Sequence, residues 1–221
     1  MSQNPDPFEA ADPGYEPRER GLKRRDKFLD AATEVFVEKG FEATSLQEIV
    51  RRAGGSLATL YRMFGNKEGL YQAVIERKAS GAYGGLELPE LPNRPPAEVL
   101  YEVGLRLLDL ILTDETTDLN RLMIAEGSRT PRLREIFMEQ APNRLYRLLS
   151  SYLDHQVAQG VLEIEDTHLA AVQLVEMIKG DFYMRRLLGE RFRVSRKERD
   201  RRIRHAVNIF LRGTLKRGVP G

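Results

Sequence analysis

The stretch SLATLYRMFGNKEGLY, from Ser56 to Tyr71, places small and polar side chains at the start of a very short helix. Ser56 and Asn66 are both residues that begin helices well, so the helix between them has barely two turns. Residues 57–59 do not follow the spacing of a buried face. A helix this short contributes little burial of its own, which indicates that its side chains contact a partner.

The segment before it, TSLQEIVRRAG, supplies the element that would position this helix. Ser45 as N-cap and Glu48 three residues later form a capping box. Its apolar face follows a helical period: Leu46, Ile49, Val50 and Ala53. Gly54 and Gly55 end it, since glycine readily takes the positive φ of a helix terminus or tight turn. Two helices joined in this way have helix-turn-helix spacing over residues 45–64.

In a helix-turn-helix unit the second helix lies in the major groove of DNA while the first crosses the backbone. Residues 57–59 are small or apolar, so the helix can approach the groove floor and contact a thymine methyl or a base edge. Polar and basic groups one turn later, and those at the helix starts, are placed for phosphate. The predicted DNA-binding residues are Thr44, Ser45, Ser56, Leu57, Ala58, Thr59, Tyr61, Arg62 and Lys67.

Charge is strongly segregated along a chain of 221 residues whose net charge is only +2. Residues 1–17 carry −4, residues 18–78 carry +4, residues 79–190 carry −7 and residues 191–221 carry +9. Two basic regions around an acidic middle predict that a polyanion binds at particular regions of the protein and not over its whole surface. The run from Arg191 to His205 has two interpretations, an extra polyanion contact or a solvated face that offsets the acidic middle, and we prefer the second.

Composition and motifs argue against other classes of protein. With no cysteine there is no disulfide framework or thiolate site, and the three histidines lack metal-ligand spacing. No stretch approaches the roughly 20 apolar residues of a membrane span, and the N-terminus lacks a signal-peptide pattern, so we expect a cytoplasmic protein. No nucleotide-binding glycine loop, catalytic triad, HExxH or paired-carboxylate signature occurs, so we expect no catalytic residue, no metal and no cofactor.

Helical periodicity extends over nearly the whole chain, which predicts an all-α fold. Residues 1–17 read as a disordered tail, 18–80 as a helix-turn-helix DNA-binding domain, 81–96 as a linker and 97–217 as a second, larger helical domain. Within the second domain, Pro142 is expected to break or kink the helix from Arg132 to about Gln159. Two further helices, Asp166–Leu188 and about Lys197–Leu215, carry wide apolar stripes.

The stretch GFEATSLQEIVRRAGGSLATLYRMFGNKEGLYQAVIE strongly resembles the DNA-binding domain of the tetracycline-repressor (TetR/AcrR) family of transcriptional regulators, over roughly residues 20–78. The matching positions are Gly40-Phe41, Thr44-Ser45, Ile49, Ala53-Gly54, Ser56, Thr59-Leu60-Tyr61, Phe64, Lys67-Glu68 and Leu70. The chain departs from the family pattern at Gly55, usually a small aliphatic residue, and at Leu57, often polar or basic. The operator sequence therefore does not carry over.

From Val99 to Leu188 the chain is similar, more weakly, to the ligand domain of regulators of efflux and quorum-linked functions. The resemblance implies a homodimer, with the helices at about 166–188 and 197–215 as its interface. It also implies a transcriptional repressor that a small-molecule effector, here unknown, releases from a near-palindromic double-stranded DNA operator. The candidate ligand-binding residues are Met123, Glu126, Phe137, Tyr146, Met177 and Phe182, although each is individually more typical of core packing or a surface ion pair. The alternative function is a basic DNA-binding protein without sequence preference or effector.

Overall fold

The computed structural model describes residues 19–83 and 94–215, and these form ten helices. Their bounds are α1 Glu19–Lys39, α2 Leu46–Ala53, α3 Leu57–Phe64, α4 Lys67–Tyr83, α5 Pro96–Ile111, α6 Asp114–Glu126, α7 Pro131–Gln140, α8 Pro142–Ala158, α9 Thr167–Leu187 and α10 Arg196–Thr214. The predicted all-α class is confirmed. The predicted disordered tail, 1–17, lies outside the described residues, as does most of the predicted linker, into which α4 extends by three residues.

The chain divides into two compact units, and the first contains α1 to α3 and α4 through Arg77. Its centre is an aromatic cluster in which Phe36, Phe41 and Tyr71 have ring centroids 5.6 to 5.8 Å apart. Unlike the predicted division at residues 81–96, this unit also includes Leu122–Phe137. The reason is packing, since the Tyr71 hydroxyl lies 3.7 Å from the buried Met123 sulfur.

The second unit contains Lys78–Arg121 and the chain from Met138 onward. In it α5, α8, α9 and α10 surround one apolar core, to which α5 contributes Leu100 and Leu108, and α10 contributes Ile203 and Phe210. Pro142 occupies the first turn of α8, where its missing N–H costs nothing, and the chain breaks at Ala141 as the sequence predicted. Within the described residues, no helix has the length and apolarity needed to span a membrane.

Helix α9 differs from the continuous helix predicted from Asp166 to Leu188. Asp166 is its N-cap, but Gly180 has φ 47° and ψ −139°, which kinks the helix. The side of Gly180 that a Cβ would occupy is filled by the guanidinium of Arg202, which lies 3.7 Å above the Phe182 ring and bonds Asp181 at 2.6 Å. An arginine of α10 therefore replaces a side chain at the kink.

Candidate nucleic-acid interface

Two serine hydroxyls begin the helices of the helix-turn-helix unit. Ser45 caps α2 and accepts a hydrogen bond from the Glu48 amide at 3.3 Å. Ser56 caps α3 by accepting from the Thr59 amide at 3.2 Å, and the two hydroxyls of Ser56 and Thr59 lie 2.9 Å apart. Both caps satisfy amides that the helix itself leaves unbonded, so the start of each helix is fixed by residues within three positions.

Helix α3 buries one side in the protein, and its other side is exposed to solvent. Leu60 is fully buried, Leu57 and Thr59 are half-buried, and Ala58 is exposed. Tyr61 is 50% exposed, and Arg62 beside it is exposed as well. The first turn of α3 has no acidic residue, so the positive end of the helix dipole faces outward without a local negative charge. The arrangement suits an anionic partner at the start of α3.

The turn between α2 and α3 is held by two residues of α1. Gly54 has φ 67° and Gly55 has φ 149°, conformations that side-chain-bearing residues rarely adopt. A Cβ on Gly55 would lie 2.9 Å from the ring of Phe28. One turn earlier on α1, the Arg24 guanidinium donates a hydrogen bond to the Gly54 carbonyl. This contact joins residues 30 positions apart, so no local pattern of the sequence predicts it.

Lys67 lies at the start of α4, as predicted, but its ammonium is used within the protein. It donates to the carbonyls of Phe41 at 2.8 Å, and of Glu42 and Thr44 at 3.1 Å. It also lies 4.6 Å from the centroid of the Phe41 ring. A lysine ammonium has three donor hydrogens, so a phosphate contact by Lys67 would have to replace one of these bonds.

Thr44 was predicted as a phosphate contact, and the structure contradicts this for its side chain. The residue is only 4% exposed, and its hydroxyl donates to the Gly40 carbonyl at 2.6 Å. Thr44 therefore closes the end of α1 instead of facing a partner. Ser45, the next residue, is exposed and stays a candidate.

Ion pairs on the outer side fix α2 to α1. Arg52 makes a two-pronged contact with Glu38 at 2.8 and 2.9 Å, and Lys39 bonds Glu48 at 2.8 Å. The hydrogen bond from Arg52 holds the pKa of Glu38 below its ordinary value, and that from Lys39 does the same for the pKa of Glu48. The Glu38 carboxylate is exposed, so water screens its attraction to Arg52, whereas Glu48 is half-buried.

The basic run Arg191–His205 pairs extensively with acids of the same unit. Arg199 bonds Asp109, and Arg202 bonds Asp181. Arg201 and Arg204 bond acids one turn away on α10 itself, at 2.9 Å each. Arg199 and Arg202 thus offset acids of the middle of the chain, whereas Arg201 and Arg204 pair within the run itself, and the interpretation as a solvated face stays a prediction.

The six predicted ligand residues fall in both compact units. Met123, Glu126 and Phe137 lie in the first unit, while Tyr146, Met177 and Phe182 lie in the second. Burial raises the pKa of Tyr146, whose ring lies edge-on to His168. Two concavities of the second unit have volumes of about 370 and 650 Å³, and none of the six residues lines either of them. Within a single unit, the structure does not bring the six together.

Models of known protein families match both parts of the chain. Residues 28–74 match "Bacterial regulatory proteins, tetR family". Residues 98–213 match "AefR-like transcriptional repressor, C-terminal domain", which covers more than half of the chain. The first match contains α2 and α3, and the second spans α5 to α9 and nearly all of α10.

Individual relatives resemble the chain over most of its length. It is 28% identical to the uncharacterized HTH-type transcriptional regulator YvkB of Bacillus subtilis, over 85% of this chain and 95% of that protein. A TetR-family regulator of Mesorhizobium loti has a similar structure, with a TM-score of 0.76, 27% identity, and 90% and 100% of the two chains covered. The flavonoid-responsive regulator FrrA follows, with a TM-score of 0.74, 28% identity, and 89% and 100% covered.

Proposed function

This chain belongs to the TetR family of bacterial transcriptional regulators, and we propose that it is a repressor that a small molecule releases from its operator. DNA binding and transcription regulation follow from the family. Repression is supported by the match of residues 98–213 to an AefR-like repressor domain. A near-palindromic operator, a small organic effector and the dimer interface are the parts that this proposal adds.

The observation that carries the proposal is the surface of α3. The helix is capped at its start by Ser56, anchored inside by Leu60 and exposed at Ala58, Tyr61 and Arg62. We assign base-edge contacts to Leu57, Ala58 and Thr59 in the major groove. We assign the phosphate contacts to Ser45, the cap residue Ser56, Tyr61 and Arg62. The ammonium of Lys67 instead bonds carbonyls of the loop before α2.

A homodimer is supported by apolar side chains left exposed on two helices. Leu169 is 50%, Met184 56% and Leu188 79% exposed on or next to α9, and Ile209 is 50% exposed on α10. Exposed apolar side chains gathered on neighbouring elements mark protein interfaces. We therefore assign the dimer interface to α9 and α10, the helices at about 166–188 and 197–215. Two copies of α3 would then face two half-sites of one near-palindromic operator.

An effector site in the ligand domain follows from the same family resemblance. The relative FrrA is named as flavonoid-responsive, which supports a small organic molecule as the class of effector. Tyr146 and Met177 are half-buried in the second unit and stay candidates. Phe182 is covered by Arg202 and Phe192, so we now assign it to packing at the kink of α9. Because its target is bacterial DNA, we place the protein in the cytoplasm.

Selection of duplexes by the full-length protein from a randomised DNA library tests the operator proposal. We expect a consensus of two half-sites related by a dyad, with centres ~34–36 Å apart or a multiple of that distance. A single unrepeated half-site would contradict the dimeric arrangement. Recovery of no consensus, with affinity that collapses as salt rises, would favour the alternative of a basic protein without sequence preference.

A further inference from the structure

Two neighbouring arginines near the start of α1 point at the two ends of α3. Arg24 donates to the carbonyl of Gly54, the C-cap of α2 in the turn that leads to α3, and lies 3.4 Å from the position of a Cβ on Gly55. The Arg25 guanidinium lies 5.8 Å from the centroid of Phe64, the last residue of α3. By residue type alone, basic side chains at the start of a DNA-binding domain suit a phosphate contact or a solvated edge. The structure gives them a third role.

The Gly54 carbonyl is a natural target for a cation. It follows the end of α2, where helix carbonyls have no partner within the helix and where the dipole is negative. Because Gly54 and Gly55 both have positive φ, the turn is made of the two residues with the widest conformational freedom. Leu60 and Phe64 anchor the body of α3, but a turn of two glycines leaves some freedom in the direction of its start. A guanidinium bonded to Gly54 removes that freedom.

Phe28 completes the contact from the same helix. It lies one turn after Arg24 on α1, is fully buried, and meets Phe64 edge-on with ring centroids 6.3 Å apart. Its ring also occupies the space beside Gly55. Helix α1 therefore contacts both sides of α3. Arg24 bonds the turn that precedes α3, and Phe28 packs against Phe64 at its end.

We infer that Arg24 is a positioning residue for sequence-specific DNA binding, acting through the Gly54 carbonyl to fix the direction of α3. This inference rests on the proposed placement of α3 in the major groove. Base contacts require the helix to lie within about 0.5 Å of its productive position, whereas phosphate contacts carry no sequence information. Loss of the Arg24 bond therefore lowers affinity for the operator and leaves affinity for other DNA nearly unchanged.

The test compares the full-length variants Arg24→Met and Lys27→Met with the wild type. Lys27 is exposed on the same helix, so its replacement removes the same charge without touching the turn. Dissociation constants are measured for the duplex that the wild type selects from a randomised library and for its scrambled counterpart, over a series of salt concentrations. Melting curves first establish a temperature at which all variants are folded.

We expect Arg24→Met to lower the ratio of operator to scrambled affinity by about tenfold, which is the scale of one hydrogen bond from a charged donor. Lys27→Met should leave that ratio unchanged, and Arg24→Lys, which keeps a charged donor, should recover part of it. The slope of log affinity against log salt should be the same in Arg24→Met as in Lys27→Met.

Other outcomes overturn the inference. An equal loss on both duplexes, with a salt slope shallower by about 0.9 than that of Lys27→Met, would make Arg24 a phosphate contact. A lower melting temperature with an unchanged ratio would leave it a purely structural residue. If the wild type selects no duplex at all, the placement of α3 fails and this inference fails with it. If the wild type selects a duplex and Arg24→Met keeps the ratio, the inference alone fails.

Discussion

Leu57 and Tyr61 lie one turn apart on α3 and have different environments. We therefore expect their truncation to change DNA binding in different ways. Tyr61 is half exposed beside Arg62, as suits a phosphate contact, whereas the half-buried Leu57 lies at the start of the helix. Tyr61→Ala should weaken binding to every duplex, because phosphate is common to all sequences. Leu57→Ala should instead change which bases are preferred. Selection with each variant measures this, and an equal effect of both on all sequences would contradict the division of roles.

Lys67 gives a second prediction at this scale. Its ammonium bonds three carbonyls that precede α2, so Lys67→Met leaves those carbonyls without a charged donor. The free energy of unfolding should fall by about 1–3 kcal/mol, measured by denaturant titration. Lys27→Met, at an exposed position of α1, is the control and should change it little. Equal stability of the two variants would mean that Lys67 is not a structural donor.

The caps of α2 and α3 could be predicted from the sequence because each depends on residues three positions apart. The buried hydroxyl of Thr44 and the bond of Arg24 could not be predicted in the same way. The Arg24 bond joins residues 30 positions apart, and the Thr44 hydroxyl bonds carbonyls at the end of α1, so both depend on how α1 packs against the turns. The charge of Arg24 and the hydroxyl of Thr44 are typical of phosphate contacts. Only the fold shows that each side chain bonds a backbone carbonyl of the protein instead.

At the scale of elements, the turn between α2 and α3 depends on the absence of a side chain at Gly55. Gly55→Ala should lower the free energy of unfolding by on the order of 1–3 kcal/mol, since the φ of 149° disfavours any side chain. Part of the loss comes from the close approach to Phe28. In the Gly55→Ala background, Phe28→Leu should therefore cost less than it does in the wild type. Additive losses in this double-mutant cycle would show that the two positions do not compete for space.

The pairing of α2 with α1 should weaken in acid. Hydrogen bonds from Arg52 and Lys39 lower the pKa of Glu38 and Glu48 in the folded state. The folded protein then binds fewer protons than the unfolded chain, so this stabilisation is complete above the ordinary glutamate pKa and is lost as pH falls through the lowered values. The difference in melting temperature between wild type and Arg52→Met should be largest near neutral pH and shrink below about pH 4.3. A difference that grows in acid would contradict the assignment.

Helix α9 shows what periodicity misses at the scale of elements. The sequence indicated an apolar stripe from Asp166 to Leu188, and residues such as Ala171, Leu174 and Ile178 are buried as that stripe requires. The kink at Gly180 left no trace in the pattern, since a single glycine is tolerated inside a helix. The space beside Gly180 is occupied by Arg202 of α10, and this proximity follows only from the packing of the two helices.

For the whole molecule, binding to two half-sites of one operator requires two copies of the chain. Leu169→Glu combined with Ile209→Glu places charges among the exposed apolar side chains of α9 and α10. We expect sedimentation analysis to show a monomer, with specific DNA affinity lost because one α3 reaches only one half-site. Ile124→Glu is the control, since Ile124 is 63% exposed on α6 and belongs to the other compact unit. A dimer that persists in the double variant would place the interface elsewhere.

The claim on which the rest depends is that the chain prefers one DNA sequence over others. A fluorescence-anisotropy titration tests it directly, with the duplex from just upstream of the chain's own gene and a scrambled duplex of equal length, at two salt concentrations. If the chain is a sequence-specific regulator, we expect saturable binding that favours the native duplex by on the order of 10³-fold or more. Equal affinities for both duplexes that fall steeply together as salt rises would contradict an operator at this site and favour binding to DNA through charge alone.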